Sequence, residues 1–280
     1  MAEAYETATR TAEDYYDSHD ADTFYREIWG GEDIHVGLYE PGDTIGEAGR
    51  RTVLDMAGRL GALKQAGARV LDLGAGYGGA ARVLAGEFGA QVTCLNLSEV
   101  ENARNRELTA GQGLDGQLRV VHGAFEDIDE PDESFDVVWS QDAILHSGNR
   151  EKVLDEAVRV LKPGGEMIFT DPMQADDLTD TASLQPIYDR IHLESLASFG
   201  FYERELTQRG MEKVDIADLT SQLTNHYGRV REELTARRDS LKGHVSEDYV
   251  ERMLAGLQHW VDAGRAHKLA WGILHFRKPG

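Results

Sequence analysis

Residues Val70 to Gly79 read VLDLGAGYGG, and the reading of this decapeptide decides the fold. Three apolar residues and Asp72 make a strand-like run that meets Gly74, Gly76, Gly78 and Gly79, and the helical pattern AARVLAGEF follows at once. Glycine is needed where a strand turns sharply into a helix and where backbone must approach a ligand with no Cβ in the way. The first turn of that helix then presents unpaired N–H groups to a polar or anionic ligand. Taken alone, the turn is compatible with a nucleotide-like cofactor, with another ligand, or with nothing more than a tight connection.

Working outward, strand and helix patterns alternate from Arg69 onward. The first strand is followed by a helix from Gly79 to Phe88, a strand from Gln91 to Leu97 and a helix from Ser98 to about Ala110. That second helix opens with a capping-box-like Ser98-Glu99-Val100-Glu101. A strand from Gln117 to Gly123, an acidic run from Glu126 to Ser134 that reads as a solvated loop, and a strand from Phe135 to Ser140 come next. The helix EKVLDEAVRVL stops at Lys162-Pro163-Gly164-Gly165, which turn the chain into a strand ending at Asp171. This order predicts an α/β fold: a Rossmann-like, mostly parallel sheet with helices on both faces and the ligand at the carboxyl ends of the strands.

Beyond Asp171 the pattern changes. Residues 176–206 look helical, 211–220 strand-like, 221–264 like two long helices, and KLAWGILHF (268–276) like a buried terminal strand. A late helical insertion before one last strand predicts a lid over the ligand end. The leader carries Tyr5, Tyr15, Tyr16, Tyr25, Trp29 and Tyr39, enough aromatic surface to close the other side of a pocket. We therefore expect a helical leader or cap at 1–50 and a sheet domain at 51–280, with the lid insertion at about 176–208.

Composition narrows the partners. The 280 residues hold 29 basic against 50 acidic side chains, a net charge of −21. A field of that sign repels nucleic acid and anionic membrane surfaces. It suits a high-salt cytoplasm, though ordinary acidic proteins share it. The single cysteine, Cys94, sits in a strand pattern and reads as a buried, inert thiol. The first residues are acidic and lack the apolar stretch of a signal peptide, and no run approaches a membrane span. The expectation is a soluble, cytoplasmic monomer or small homo-oligomer. Asp17, His19, Asp20 and Asp22 look metal-like on paper but follow no ligand template, so no metal is expected.

A dinucleotide enzyme would show Gly-x-Gly-x-x-Gly and an acidic residue about 20 positions on. Here the second strand ends in Asn96 rather than in an acidic residue. Instead, VLDLGAGYGG, VTCLNLS, VHGAFEDI, FDVVWSQDAILHS and RVLKPGGEMIFTDPM, in this order between Arg69 and Met173, resemble the motifs of the class I S-adenosylmethionine-dependent methyltransferases. The leader YYDSHDADTFYREIWGGEDIHVGLYEPGD, the string CLNLSEVENARNRE and WSQDAILHSGNR together resemble the sarcosine/dimethylglycine N-methyltransferases that make glycine betaine. Related patterns occur in phosphoethanolamine and sterol methyltransferases, so the alternatives are another small-molecule methyltransferase or a non-catalytic cofactor-binding protein.

The resemblance implies roles residue by residue. Gly74, Ala75 and Gly76 would pass beneath the methionyl part of S-adenosylmethionine, whose spent form is S-adenosylhomocysteine. Asn96 and Leu97 would meet ribose and adenine, Ala124 and Phe125 would border the adenine, and Gln141 would line the methionine end. Two departures stand out. The family commonly has a carboxylate where Asn96 stands, and often an acid where Ala124 stands, so Glu126 or backbone would substitute there.

Methylating an amine requires the neutral nitrogen, held in line with the departing sulfonium. A dimethylglycine-like ammonium has a pKa near lysine's, about 10, so at pH 7 the free base is about one part in 10³. His146, in SQDAILHS after the fourth strand, is the candidate base, because a histidine titrates in the useful range. The related phosphoethanolamine enzymes pair such a histidine with a leader tyrosine, here Tyr16. A quaternary ammonium product favours aromatic faces, which Tyr16, Tyr25, Trp29, Tyr39 and Trp139 could supply. Pro172 and Met173, leaving the fifth strand, are candidate substrate-pocket walls, and Arg190 is the candidate partner of the substrate carboxylate.

Overall fold

The computed structural model describes residues 18–191 and 193–280. Tyr5, Tyr15, Tyr16 and Asp17 therefore lie outside the described residues. Among those described, a leader helix α1 (His19–Glu27) and α2 (Ile45–Arg59) precede β1 (Arg69–Leu73), α3 (Gly79–Phe88), β2 (Gln91–Asn96), α4 (Glu99–Gly111) and β3 (Leu118–His122). Then come β4 (Phe135–Gln141), α5 (Arg150–Val160), β5 (Leu161–Thr170), a short β6 (Met173–Gln174), α6 (Gln185–Ile191) and α7 (Phe199–Gln208). The chain ends with β7 (Glu212–Asp218), α8 (Thr220–Arg237), α9 (Glu247–Arg265), β8 (Leu269–Ala270) and β9 (Gly272–Arg277).

Seven strands form one sheet in the order β3-β2-β1-β4-β5-β9-β7. β3 through β5 run parallel, while β9 is antiparallel to both β5 and β7. The order reverses between β1 and β4, which opens a crevice at their carboxyl ends where such folds hold ligands. Strand alternation sorts the core. Val70, Val92, Cys94, Val137 and Trp139 point to one face under α2 and α3, and Leu71, Leu73, Val138, Met167 and Phe169 point to the other under α5 and α7.

A third apolar cluster lies above the sheet and joins α1, α6, α8 and α9. Tyr227 and Trp260 stack there at 4.6 Å and 5°, an arrangement that adds about 0.5–1.5 kcal/mol beyond the area buried. The cap is thus distributed differently from the single insertion expected at 176–208. α6 belongs to it, but α7 packs on the sheet through Tyr202 against Phe169, and the long α8–α9 pair supplies most of its mass. The reason is legible afterwards: α7 offers Tyr202 and Leu206 to the sheet face, whereas α8 and α9 carry the aromatic stripe that only another helix layer can cover.

The terminal run 268–276 is likewise two strands rather than one. Leu269–Ala270 pairs with β6, Trp271 makes the step between the two sheets, and β9 pairs with β5 and β7. No helix among the described residues is long and apolar enough to cross a membrane.

Candidate active site

A cavity opens at the carboxyl ends of the central strands, where folds of this topology hold their ligands. It is bordered by Gly74 and Gly76 after β1, Asn96, Leu97 and Ser98 at the end of β2, Glu101 on α4, and Phe125 and Glu126 after β3. Gln141, Asp142, Ala143 and His146 after β4 complete it, with Ile34 from the leader. The predicted residues Gly74, Gly76, Asn96, Leu97, Phe125, Gln141 and His146 are therefore neighbours on one cavity. Ala75 and Ala124 adjoin it in sequence without bordering it.

The glycine turn does two separate jobs. At Gly74 the backbone has φ +75°, and a Cβ there would collide with the Cβ of Ala143, so this glycine lets the β1 and β4 loops approach each other. At Gly76, φ +51°, a Cβ would meet only Ile34 Cδ1 at 3.7 Å; this is the glycine that keeps the cavity floor open. Tyr77 bolts the turn to the cap, its hydroxyl donating to Asp22 Oδ1 at 2.8 Å. Arg82 holds the turn from below by donating to the Tyr77 carbonyl at 2.6 Å.

Two features answer the departures noted in the sequence. Asn96 donates through Nδ2 to Glu101 Oε2 at 2.9 Å, and Glu101 is buried at the cavity edge. The carboxylate missing from position 96 is thus supplied one helical turn later, by the residue whose N–H is capped by Ser98. Sequence reading took Glu101 only as a helix-capping residue. Glu126, which opens the acidic run expected to be a solvated loop and is also the expected substitute for the acid absent at position 124, is buried on the cavity and accepts from the Ser147 hydroxyl.

The end of β4 is fixed by two indoles. Trp139 Nε1 donates to Gln141 Oε1 at 3.0 Å, so the amide is oriented with Nε2 as a buried donor that has no partner among the described residues. Trp271 Nε1 donates to Asp142 Oδ1 at 2.8 Å, and the Val36 N–H donates to Asp142 Oδ2 at 2.7 Å. Asp142 adopts the left-handed region at φ 53°, unusual for a residue with a side chain. Burial raises its pKa from the usual carboxylate value, against the pull of His35 and these donors.

Through Val36 the carboxylate holds a leader strap, residues 34–39. The next three N–H groups are taken by side chains from α2 and α8: Gly37 by His226 Nδ1, Leu38 by Thr52 Oγ1 and Tyr39 by Gln222 Oε1. His35, buried in the strap, pairs with Asp33 at 3.6 Å; burial pulls its pKa down, and Asp33, Asp142 and the Val36 carbonyl together raise it above the usual value.

His146 differs from expectation. Burial, then the charges of Arg150 and Arg190, lower its imidazole to about 4, so it does not titrate in the neutral range as a free histidine would. Arg190 lies in another cleft, between α6 and α9, lined also by Tyr249 and Arg252, with Nη2 3.7 Å from Met253 Sδ. Its field nevertheless reaches His146. Pro172 and Met173 are buried, Met173 in the sheet core, and neither borders the cavity.

The aromatic candidates are also elsewhere. Tyr25 and Trp29 pack in the cap core, Tyr39 bonds His226 at 2.8 Å, and Trp139 is buried in the sheet. Phe125 is the one aromatic ring among the described lining residues, and the cavity instead carries the acids Glu101, Glu126 and Asp142. Of the metal-like leader residues, Asp20 accepts from Ser246 and Asp22 from Tyr77, so both brace the cap rather than face solvent idly. No group of three or more potential metal-ligating side chains is found among the described residues.

A family profile described as a methyltransferase domain matches residues 71–169. The glycine/sarcosine/dimethylglycine N-methyltransferase of Actinopolyspora halophila is 53% identical over 278 residues, 99% of this chain, which spans 49% of that longer protein. The sarcosine/dimethylglycine N-methyltransferase of Halorhodospira halochloris is 53% identical over 282 residues, covering 99% of this chain and 100% of its own. Among solved structures, a putative sarcosine dimethylglycine methyltransferase from Galdieria sulphuraria superposes with TM-score 0.89 at 45% identity, over 95% of this chain and 99% of that one.

Proposed function

The chain belongs to the sarcosine/dimethylglycine N-methyltransferases, and from that premise we propose that it methylates the amine of sarcosine and dimethylglycine to give glycine betaine. The observation that carries this is a single cavity bordered both by the glycine turn with Asn96 and Glu101 and by Asp142 and His146. The first set suits a nucleoside, the second an amine. When bound, S-adenosylmethionine supplies a methyl group on a sulfonium and departs as S-adenosylhomocysteine.

The residues fit that cofactor. Glu101, steadied by Asn96, offers buried acceptor oxygens to a ribose diol, and Gln141 Nε2, without a partner among the described residues, offers a donor to the methionyl carboxylate. Gly74 and Gly76, with Ala75 between them, would lie beneath its methionyl part and Leu97 beside the adenine. Phe125, next to Ala124, would border the adenine and offer its backbone N–H, and Glu126 would take the adenine amine.

At the amine end, Asp142 compensates the positive charge that an aromatic cage was expected to meet. His146 is neutral at pH 7 and accepts from the N–H of sarcosine, which leaves the nitrogen lone pair free to face the methyl, with Tyr16 as its partner; the tertiary amine of dimethylglycine has no N–H and is held by its other contacts. With a pKa of about 4 it is too weak a base to retain the proton of an ammonium near 10. The amine therefore loses its proton to solvent before transfer, a cost of about 4 kcal/mol at pH 7. Arg150 and Arg190 draw the substrate carboxylate toward this end, and the strap carrying Ile34 excludes water. Pro172 and Met173 support the amine end from behind. The net charge of −21 suits a salt-rich cytoplasm, where betaine acts as a compatible solute.

The test is product analysis by mass spectrometry, with purified protein, S-adenosylmethionine and glycine, sarcosine or dimethylglycine offered separately at high salt. Betaine should form from sarcosine and dimethylglycine. No methylation of either, by protein that still binds S-adenosylhomocysteine, would refute the reading.

A further inference from the structure

Trp271 lies at the step between the two sheets, fully buried, and its contacts divide into two kinds. Its backbone is held by α8: its N–H donates to Thr220 Oγ1 at 3.1 Å and its carbonyl accepts from the Leu219 N–H at 2.9 Å. Its indole N–H is spent on Asp142 Oδ1 at 2.8 Å, in the cavity wall. Asp142 Oδ2 is taken by the Val36 N–H of the strap, and the Asp142 N–H continues the β4–β5 ladder to the Thr170 carbonyl. With backbone and both carboxylate oxygens tied, the side chain has one orientation. The remaining lone pairs are the ones a ligand can use.

We propose that Trp271 is a positioning residue for amine methylation, acting through Asp142 to fix which edge of that carboxylate meets the substrate nitrogen. The inference rests on the functional reading above, in which Asp142 faces the amine. Without the indole N–H, Oδ1 loses its anchor, the carboxylate is held only by Val36 and the neighbouring Thr170 hydroxyl, and the nitrogen loses its reference point. The cofactor end is untouched, because Trp139 fixes Gln141 independently and Glu101 lies on another element.

The experiment compares Trp271→Phe, which keeps an aromatic ring and removes the donor, with Thr220→Val, which loosens the same residue's backbone and leaves the indole bond intact. A hydrogen bond to a charged group sets the scale at about 10- to 100-fold. Trp271→Phe should raise KM for dimethylglycine by about that factor, with kcat falling less and S-adenosylhomocysteine affinity within about twofold of wild type. Thr220→Val should lower the melting temperature without moving that KM. An unchanged KM in Trp271→Phe, or equal KM changes in both variants, would overturn the inference.

The wild-type protein provides a second reading that needs no core substitution. The Trp271 indole N–H resonance should shift when dimethylglycine saturates the S-adenosylhomocysteine complex, and a stationary resonance would count against the role. Absence of methylation by wild-type protein would instead refute the functional reading itself, so the two failures are distinguishable.

Discussion

The sharpest consequence of the site concerns His146 and pH. If its imidazole has a pKa of about 4, it is neutral in all but about one molecule in 10³ at pH 7. Moving a proton onto it from an ammonium of pKa about 10 spans about six units, or roughly 8 kcal/mol. Losing the same proton to water at pH 7 costs about 4 kcal/mol, so solvent wins by about 4 kcal/mol. His146 then contributes a hydrogen bond between neutral groups, worth about 0.5–1.5 kcal/mol or roughly two- to tenfold in rate. The perturbation is His146→Asn, assayed as kcat/KM for sarcosine, whose free amine keeps an N–H to donate, from pH 6.5 to 9 with saturating S-adenosylmethionine. Both proteins should gain about one decade per pH unit as free amine accumulates, with the variant lower by a constant factor of about two to ten. A deficit that is large at pH 7 and vanishes by pH 9 would refute this reasoning and restore His146 as a general base.

Other perturbations test separate parts of the account. Gly74→Ala forces a Cβ into Ala143 at φ +75° and should prevent stable folding, whereas Gly76→Ala, with 3.7 Å to Ile34, should fold at a cost of about 1–2 kcal/mol by thermal unfolding. Equal losses would mean that the two glycines do not do different jobs. Glu101→Gln keeps an acceptor for Asn96 but removes the charge, so S-adenosylhomocysteine should bind about 5- to 10-fold more weakly by calorimetry. Unchanged affinity would remove Glu101 from the ribose site. His226 is buried and its pKa is lowered to about 3, burial being the main cause. Between pH 6.5 and 3 the unfolded chain binds the proton and the folded one does not, so stability falls with pH, by up to about 3 kcal/mol at pH 4. His226→Gln should flatten that dependence in denaturant titrations at pH 6.5 and 4, and an unaltered slope would place the acid sensitivity elsewhere.

The parts of this molecule that sequence made legible are those whose chemistry is local. Gly74 and Gly76 announce a strand-to-helix turn because only glycine takes φ +75° and +51° cheaply, and Asn96 and Gln141 follow because they end the strands beside it. Glu101 was hidden by ambiguity: a Ser-x-x-Glu spacing reads as a helix cap, and the N–H of Glu101 is indeed capped while its carboxylate turns to the cavity. Asp142 was hidden because nothing in a sequence marks a left-handed aspartate. Its role comes from donors 106 and 129 positions away. The strap shows no periodicity for the same reason, since its bonds run to α2, α8 and the end of β4. The aromatic residues misled because aromatic content reports burial before it reports recognition. Here the cap needed them for its own core.

The account's central claim is that nucleoside and amine meet in one cavity between Glu101 and Asp142. It is tested most directly by a crystal structure of the protein with S-adenosylhomocysteine and dimethylglycine. The account predicts ribose hydroxyls hydrogen-bonded to Glu101 and the dimethylglycine nitrogen beside Asp142 and His146. A ribose that avoids Glu101, or an amine seated in the Arg190 cleft away from the spent sulfur, would contradict it.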